Sequence, residues 1–243
     1  MDPSTPAPML QRGEHPFTQP CGYLWRSGGP TPSGAALLVA LHGMGMTAEK
    51  FARVLRHLPP TDRGLLIPDG PYPYEMRSAD GIQVGRAWYI YRGDQDEFRE
   101  HLLRSEAYLL ALLDTLALRE PIAARRTVLV GFSQGGYLAG FVACRHPERF
   151  AGLVIASARL KHEFLRPELE TPGRRLPRAL FLHSASDAQI DARHAHDGVE
   201  RLRAAGGDAE LFLHGGGHRL PTEALNELHH WLERKGLDAP TDQ

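Results

Sequence analysis

The chain has 243 residues, of which 42% are hydrophobic and 23% charged, a mixture that buries one sizeable core and excludes disordered and collagen-like classes. Its 28 basic and 29 acidic side chains nearly cancel, so no overall positive field is available to hold nucleic acid or an anionic membrane surface. A neutral or weakly charged small molecule is the natural substrate for such a balance.

Cys21 and Cys144 offer neither a disulfide framework nor a metal spacing, so both are expected to be free thiols in a reducing, cytoplasmic setting. The start lacks a basic region followed by an apolar stretch, and no segment reaches the roughly 18 consecutive apolar residues of a membrane span. A signal peptide and stable membrane association are therefore not expected.

Residues 1–16, rich in proline, read as a flexible tail, residues 17–236 as one α/β domain, and residues 237–243 as a second tail. No internal repeat interrupts them. Tyr23 to Arg26 is a weak candidate for an antiparallel strand. Short apolar runs then alternate with longer stretches of helical period, the pattern of a parallel sheet joined by crossover helices. The strand candidates are Ala36 to Leu41, Gly64 to Pro68, Arg126 to Gly131, Gly152 to Ser157, Arg178 to His183 and Ala209 to His214. Helices are expected at Ala48 to Leu58, Glu97 to Leu118, Gly135 to Arg145, Ala192 to Ala205 and Thr222 to Lys235. The clearest is Glu97 to Leu118, where Phe98, Leu102, Leu109, Leu112, Leu113 and Leu116 recur at three- and four-residue steps. Between Pro71 and Arg92 the chain is aromatic and broken by Pro and Gly. It reads either as a cover over an acyl or aryl pocket, with Trp88 and Tyr89 in its wall, or as a long connection packed on the core.

The most informative string is Gly131-Phe132-Ser133-Gln134-Gly135-Gly136, placed directly after the strand candidate ending at Gly131 and directly before a helix. That is the context of a nucleophile elbow, in which a sharp turn lifts a serine hydroxyl above the sheet and needs small neighbours two residues either side. Leu41-His42-Gly43-Met44-Gly45 ends the first parallel strand, and its glycines allow the Met44 N–H to face a developing alkoxide, with the Gln134 N–H as second donor. His42 itself reads as a brace for that loop. Asp187 follows the strand ending at His183, and His218 follows three glycines after the strand ending at His214. Ser133, Asp187 and His218 thus occur in the chain order of an α/β-hydrolase triad, each at the carboxyl end of a strand. Asp191 reads better as a helix cap, and Asp69 is a more remote candidate acid. The three glycines before His218 suggest a mobile loop.

Thirteen histidines raise the question of a metal, but His194 and His196 diverge on a helix and His214 and His218 are separated by three glycines. No metal or cofactor is expected.

The strings Leu41-His42-Gly43-Met44-Gly45, Gly85-Arg86-Ala87-Trp88-Tyr89, Gly131 to Gly136, Ser186-Asp187 and Gly217-His218 resemble the phospholipase/carboxylesterase group of α/β-hydrolases, which includes acyl-protein thioesterases. The resemblance runs from about Ala36 to the final helix. It implies an α/β-hydrolase fold without a separate lid domain and hydrolysis of carboxylic esters or thioesters. It also implies triad roles for Ser133, Asp187 and His218 and oxyanion roles for Met44 and Gln134. Two departures stand out: Ala188-Gln189-Ile190-Asp191 follows the acid where a Val-Pro pair is common, and Met46 replaces an acidic residue. Competing readings are a dienelactone-hydrolase-like enzyme, which resembles this chain with cysteine at the elbow, and a ligand-binding protein on a hydrolase scaffold.

Overall fold

The computed structural model describes residue 15 and residues 18–29, 35–79, 81–120 and 122–237. In chain order its main elements are β1 (Tyr23–Arg26), β2 (Ala35–Leu41), α1 (Ala48–Leu55), β3 (Gly64–Pro68), β4 (Tyr72–Ser78) and β5 (Gly81–Ala87). There follow α2 (Gln95–Ala117), β6 (Ile122–Phe132), α3 (Gln134–Arg145), β7 (Gly152–Ala156), a 3-10 turn (His162–Phe164) and α4 (Arg166–Glu170). The chain closes with β8 (Arg178–Ser184), α5 (Arg193–Ala204), β9 (Ala209–His214) and α6 (Thr222–Arg234).

Seven strands form one sheet in the order β1-β3-β2-β6-β7-β8-β9, parallel throughout except for β1, which pairs antiparallel with β3 at the edge. The central strands carry apolar residues on both faces, because helices cover both sides and leave neither face to water. Alternation sorts them: Leu37, Val39, Leu129, Leu153, Ile155 and Phe181 enter a core with α2, α3 and α5. Their neighbours Leu38, Ala40, Val128, Val130, Val154 and Leu180 enter a second core with α1 and α6, which includes the fully buried Trp231. This is the α/β-hydrolase architecture, and every expected helix and strand is present within a few residues of its predicted bounds.

Three features depart from the expectations. The segment Pro71 to Arg92 is not an irregular connection but a β-hairpin, β4 paired with β5 from Tyr72 with Ala87 to Ser78 with Gly81. The compact turns after β7, the 3-10 turn and α4, were not foreseen. Leu237, assigned to the tail, belongs to the domain: it is 2% exposed, packs in the second core, and donates its N–H to the Leu232 carbonyl at 2.9 Å. Gly236 makes that return possible with φ of 61°, a left-handed turn after the helix. Of the expected tails, residues 1–16 and 237–243, all but residues 15 and 237 lie outside the described residues. Among the described residues, no helix is long and apolar enough to cross a membrane.

Candidate active site

β6 delivers the chain to Ser133, which takes the left-handed conformation φ 52°, ψ −119° between the strand and α3. Such a conformation costs a non-glycine residue of order 1–3 kcal/mol and persists because its surroundings over-determine it. The Ser133 N–H donates to the Ala156 carbonyl at 2.8 Å, and the turn is closed by the Gly136 N–H on the Ser133 carbonyl, also 2.8 Å. A Cβ on Gly131 would stand 2.1 Å from the Gly135 carbonyl oxygen, and one on Gly135 would stand 2.3 Å from the Leu41 carbonyl oxygen. Strand and helix can approach this closely at no other residue type.

The structure brings Ser133, His218 and Asp187 together from three different strand ends. His218 Nε2 lies 3.0 Å from Ser133 Oγ, and His218 Nδ1 lies 2.8 Å from Asp187 Oδ2. An ionised carboxylate only accepts hydrogen bonds, so Nδ1 carries the proton and Nε2 is left to accept from the serine hydroxyl. The Asp187 side chain is fully buried. Burial pushes its carboxyl up, but the Ile190 N–H, the His218 ring and the Gln189 N–H together outweigh this and hold it below the ordinary value. Its Oδ1 accepts those two N–H groups at 2.9 and 2.8 Å, so this one side chain both closes its turn and faces the imidazole. Asp191 is placed elsewhere, accepting the Arg193 N–H at 2.9 Å at the start of α5. Asp69 accepts the Ala48 N–H at 2.8 Å at the start of α1.

The loop carrying His218 is held more closely than its glycines suggested. Gly215 donates to Glu223 Oε1 at 3.3 Å, Gly216 to His214 Nδ1 at 3.1 Å and Gly217 to Ser184 Oγ at 2.9 Å. Two side chains at the end of β8 therefore steady the site without touching Ser133. Ser184 holds the His218 loop, and the buried His183 donates from Nε2 to the Ile190 carbonyl at 2.8 Å, bracing the turn of Asp187. Sequence reading missed both. Their signal was a pair of polar residues ending an otherwise apolar strand.

Met44 and Gln134 flank the serine on the loop after β2 and at the first turn of α3. In the Met44 loop, the Gly45 N–H is committed to the Arg86 carbonyl at 2.8 Å and the Met46 N–H to the Gly43 carbonyl at 3.1 Å. The Met44 N–H is not among the loop donors so committed in the described residues. The hairpin fixes this loop, since the Arg86 N–H returns to the Met46 carbonyl at 2.9 Å and a Cβ on Gly85 would stand 2.1 Å from the Gly45 carbonyl oxygen. His42 braces it from below: Nδ1 donates to the Gly43 carbonyl at 2.8 Å and Nε2 accepts the Gly70 N–H at 3.0 Å. Burial lowers the His42 pKa, and only the neutral ring can make both bonds.

Trp88, expected in a pocket wall, is fully buried instead, and its indole N–H donates to the His42 carbonyl at 2.8 Å. It is a strut between the loop after β2 and the hairpin, because a buried indole must satisfy its N–H. Tyr89 does reach a cavity, of about 730 Å³, which it lines with Tyr137 and Phe98. A second cavity, of about 440 Å³, touches His218 and is walled by Met46, Phe51, Val54, Phe132 and Leu220.

Known proteins share this architecture. Acyl-protein thioesterase 2 of Zea mays superposes with a TM-score of 0.70 at 21% identity, covering 88% of this chain and 98% of that one. Esterase PE8 superposes at 0.68 with 24% identity and coverage of 88% and 98%. These likenesses speak for the fold. In sequence, lysophospholipase-like protein 1 of Mus musculus is 24% identical over 213 residues, which span 84% of this chain and 88% of that protein. The phospholipase/carboxylesterase family profile matches residues 30–235, nearly the whole described fold, and the chain belongs to that family.

Proposed function

We propose that this family member is a serine hydrolase that cleaves carboxylic esters or thioesters of small molecules through an acyl-enzyme. His218 Nε2 takes the Ser133 proton as Oγ attacks the carbonyl carbon, and the resulting alkoxide rests on the Met44 and Gln134 N–H groups. The bond to the leaving oxygen or sulfur then breaks, and His218 returns the proton to that atom. Water, deprotonated by His218, attacks the acyl-enzyme and releases the carboxylic acid and free Ser133. Asp187 keeps Nδ1 protonated and stabilises the imidazolium formed in each half.

The observation that carries this reading is the unbroken relay from Asp187 Oδ2 through His218 to Ser133 Oγ, with steps of 2.8 and 3.0 Å. The strained turn at Ser133 supports it, since a capping serine has no need of a positive φ. The free thiols of Cys21 and Cys144 suit a reducing compartment. Hydrolysis of p-nitrophenyl butyrate by wild type and Ser133→Ala, with fluorophosphonate labelling of both, tests the proposal. Wild type should turn over and take one label, and Ser133→Ala should lose about 10³-fold or more in kcat and take none. A wild type that neither labels nor turns over, or a variant that turns over normally, overturns it.

A further inference from the structure

The cavity of about 730 Å³ has the size of a small-molecule site, and although neither Ser133 nor His218 lines it, its walls are tied to the segments that hold the serine. Tyr137 stands one turn along α3 from the serine and donates its N–H to the Ser133 carbonyl at 3.3 Å. Gln134 Nε2 donates to the Tyr89 carbonyl at 2.9 Å. The remaining wall leaves the end of β7, whose last residue, Ala156, accepts the Ser133 N–H at 2.8 Å. Ser157, next in the chain, has φ of 47°, and this left-handed turn takes the chain out of the sheet toward Arg159 and Lys161.

One side of the cavity is aromatic. Tyr89 and Phe98 have ring centroids 4.5 Å apart, Tyr89 and Tyr137 6.2 Å, and Phe98 and Phe164 5.6 Å. The other side is charged. Lys161 Nζ lies 3.2 Å from Glu163 Oε1 and 4.9 Å from the Phe164 ring centre, with its side chain only 11% exposed, and Arg159 pairs with the same carboxylate oxygen. Burial pushes the Glu163 carboxyl up, but its own backbone N–H, Arg159 and Lys161 prevail and bring it down to about 2, so it stays ionised. Among the described residues Glu163 is the one acid lining the cavity, and two cations share it. One positive charge is left over beside an aromatic wall.

We infer that this cavity selects esters whose aromatic ring carries a carboxylate: the ring lies against Tyr89, Phe98 and Tyr137, and the carboxylate meets Arg159 and Lys161. The inference takes its chemistry from the hydrolase reading above. It also sharpens the expectation of a neutral or weakly charged substrate, because a local excess of one charge is invisible in a balanced composition. A guanidinium and an ammonium converging on one anion supply charge-assisted hydrogen bonds, and an aromatic floor removes the competing water on that side.

The test uses matched pairs that differ in charge and little in shape. Monomethyl terephthalate and methyl 4-methylbenzoate are compared as substrates by kcat/KM. Their non-hydrolysable N-methylamide counterparts are compared as ligands of wild type by calorimetry. The anionic member should win by about tenfold or more in both comparisons. Arg159→Gln and Lys161→Met should each reduce that ratio, whereas Glu163→Gln, which frees a second cation, should raise it. A purely structural Glu163 would not give that increase. Equal binding of the two amides, or a ratio that none of the three substitutions moves, overturns the inference. Ester hydrolysis without anion preference leaves the hydrolase reading standing and removes this one. Anion-selective amide binding without any ester hydrolysis does the reverse.

Discussion

Gln134 Oε1 accepts the Trp88 N–H at 2.7 Å, and the same side chain donates from Nε2 to the Tyr89 carbonyl at 2.9 Å. Since the Trp88 indole continues to the His42 carbonyl, one buried glutamine joins the serine turn to the loop after β2. Gln134→Ala keeps the main-chain N–H proposed for the oxyanion but leaves a buried N–H and a buried C=O without partners. Each stranded group costs about 1–3 kcal/mol. Chemical denaturation should show that loss, and kcat for p-nitrophenyl butyrate should fall with it as the two donors drift apart. Wild-type stability together with wild-type kcat would mean that the side chain holds nothing.

The two aspartates of the loop after β8 should fail differently. Asp187→Asn leaves the fold intact but permits the wrong imidazole tautomer, a change worth about 10⁴ in kcat. Asp191→Asn removes a carboxylate that accepts the Arg193 N–H from an exposed position, and costs about 1 kcal/mol of stability or less with turnover retained. Steady-state kinetics and thermal melts of both purified variants decide. The reverse pattern would reassign the acid.

His42 makes stability depend on pH in a defined direction. Burial holds its folded pKa below the ordinary histidine value, so between the two values the unfolded chain binds more protons than the folded one. Stability is complete above the ordinary value of about 6.5 and falls as pH drops below it. Protonation would also set an Nε2 proton against the Gly70 N–H. The midpoint of urea unfolding should therefore decline from pH 7 to pH 5, and the decline should be shallower in His42→Asn. His214, whose pKa burial also lowers, adds a slope in the same direction that remains in this variant. Parallel curves for the two proteins would exclude the assigned role.

Glycine substitutions separate packing from conformation. Gly135→Ala places a methyl 2.3 Å from one backbone carbonyl oxygen and 2.6 Å from the next, where nothing flexible can yield. A loss of about 3 kcal/mol or more is expected. Gly215→Ala meets nothing within 4 Å and needs no positive φ, so its melt should stay within about 0.5 kcal/mol of wild type. Equal melting of the two variants would contradict the close approach of α3 to β2.

The sheet was legible because strands covered on both faces are written as uncharged runs, and β2, β3 and β7 reveal themselves this way nearly to the residue. The candidate site was legible because its groups sit where apolar runs stop: Ser133 after β6, Asp187 after β8, His218 after β9. What escaped was held by contacts distant in sequence. Trp88 looks like a pocket aromatic until its partners, 46 residues away at His42 and at Gln134, are known. The hairpin escaped for a different reason. Ile82 and Val84 alternate with Gln83 and Gly85 as a strand should, but both apolar residues face outward, 63% and 61% exposed, so the alternation points away from the core. Glycines before His218 suggested freedom, whereas each of their N–H groups has a partner supplied by a side chain.

The bridge between Met46 and Arg86 makes the hairpin's tolerance of added length depend on where the length is added. Beside Gly81, where a Cβ would meet nothing within 4 Å, extra residues extend the two strands outward and leave the pairing near the sheet as it was. One residue inserted between Gly85 and Ala87 shifts the register by one, turning every side chain beyond it to the opposite face. It would set a side chain against the Gly45 carbonyl and break both bonds of Arg86 to the loop. Insertions are thus harmless growth at one end of the hairpin and a fault at the other.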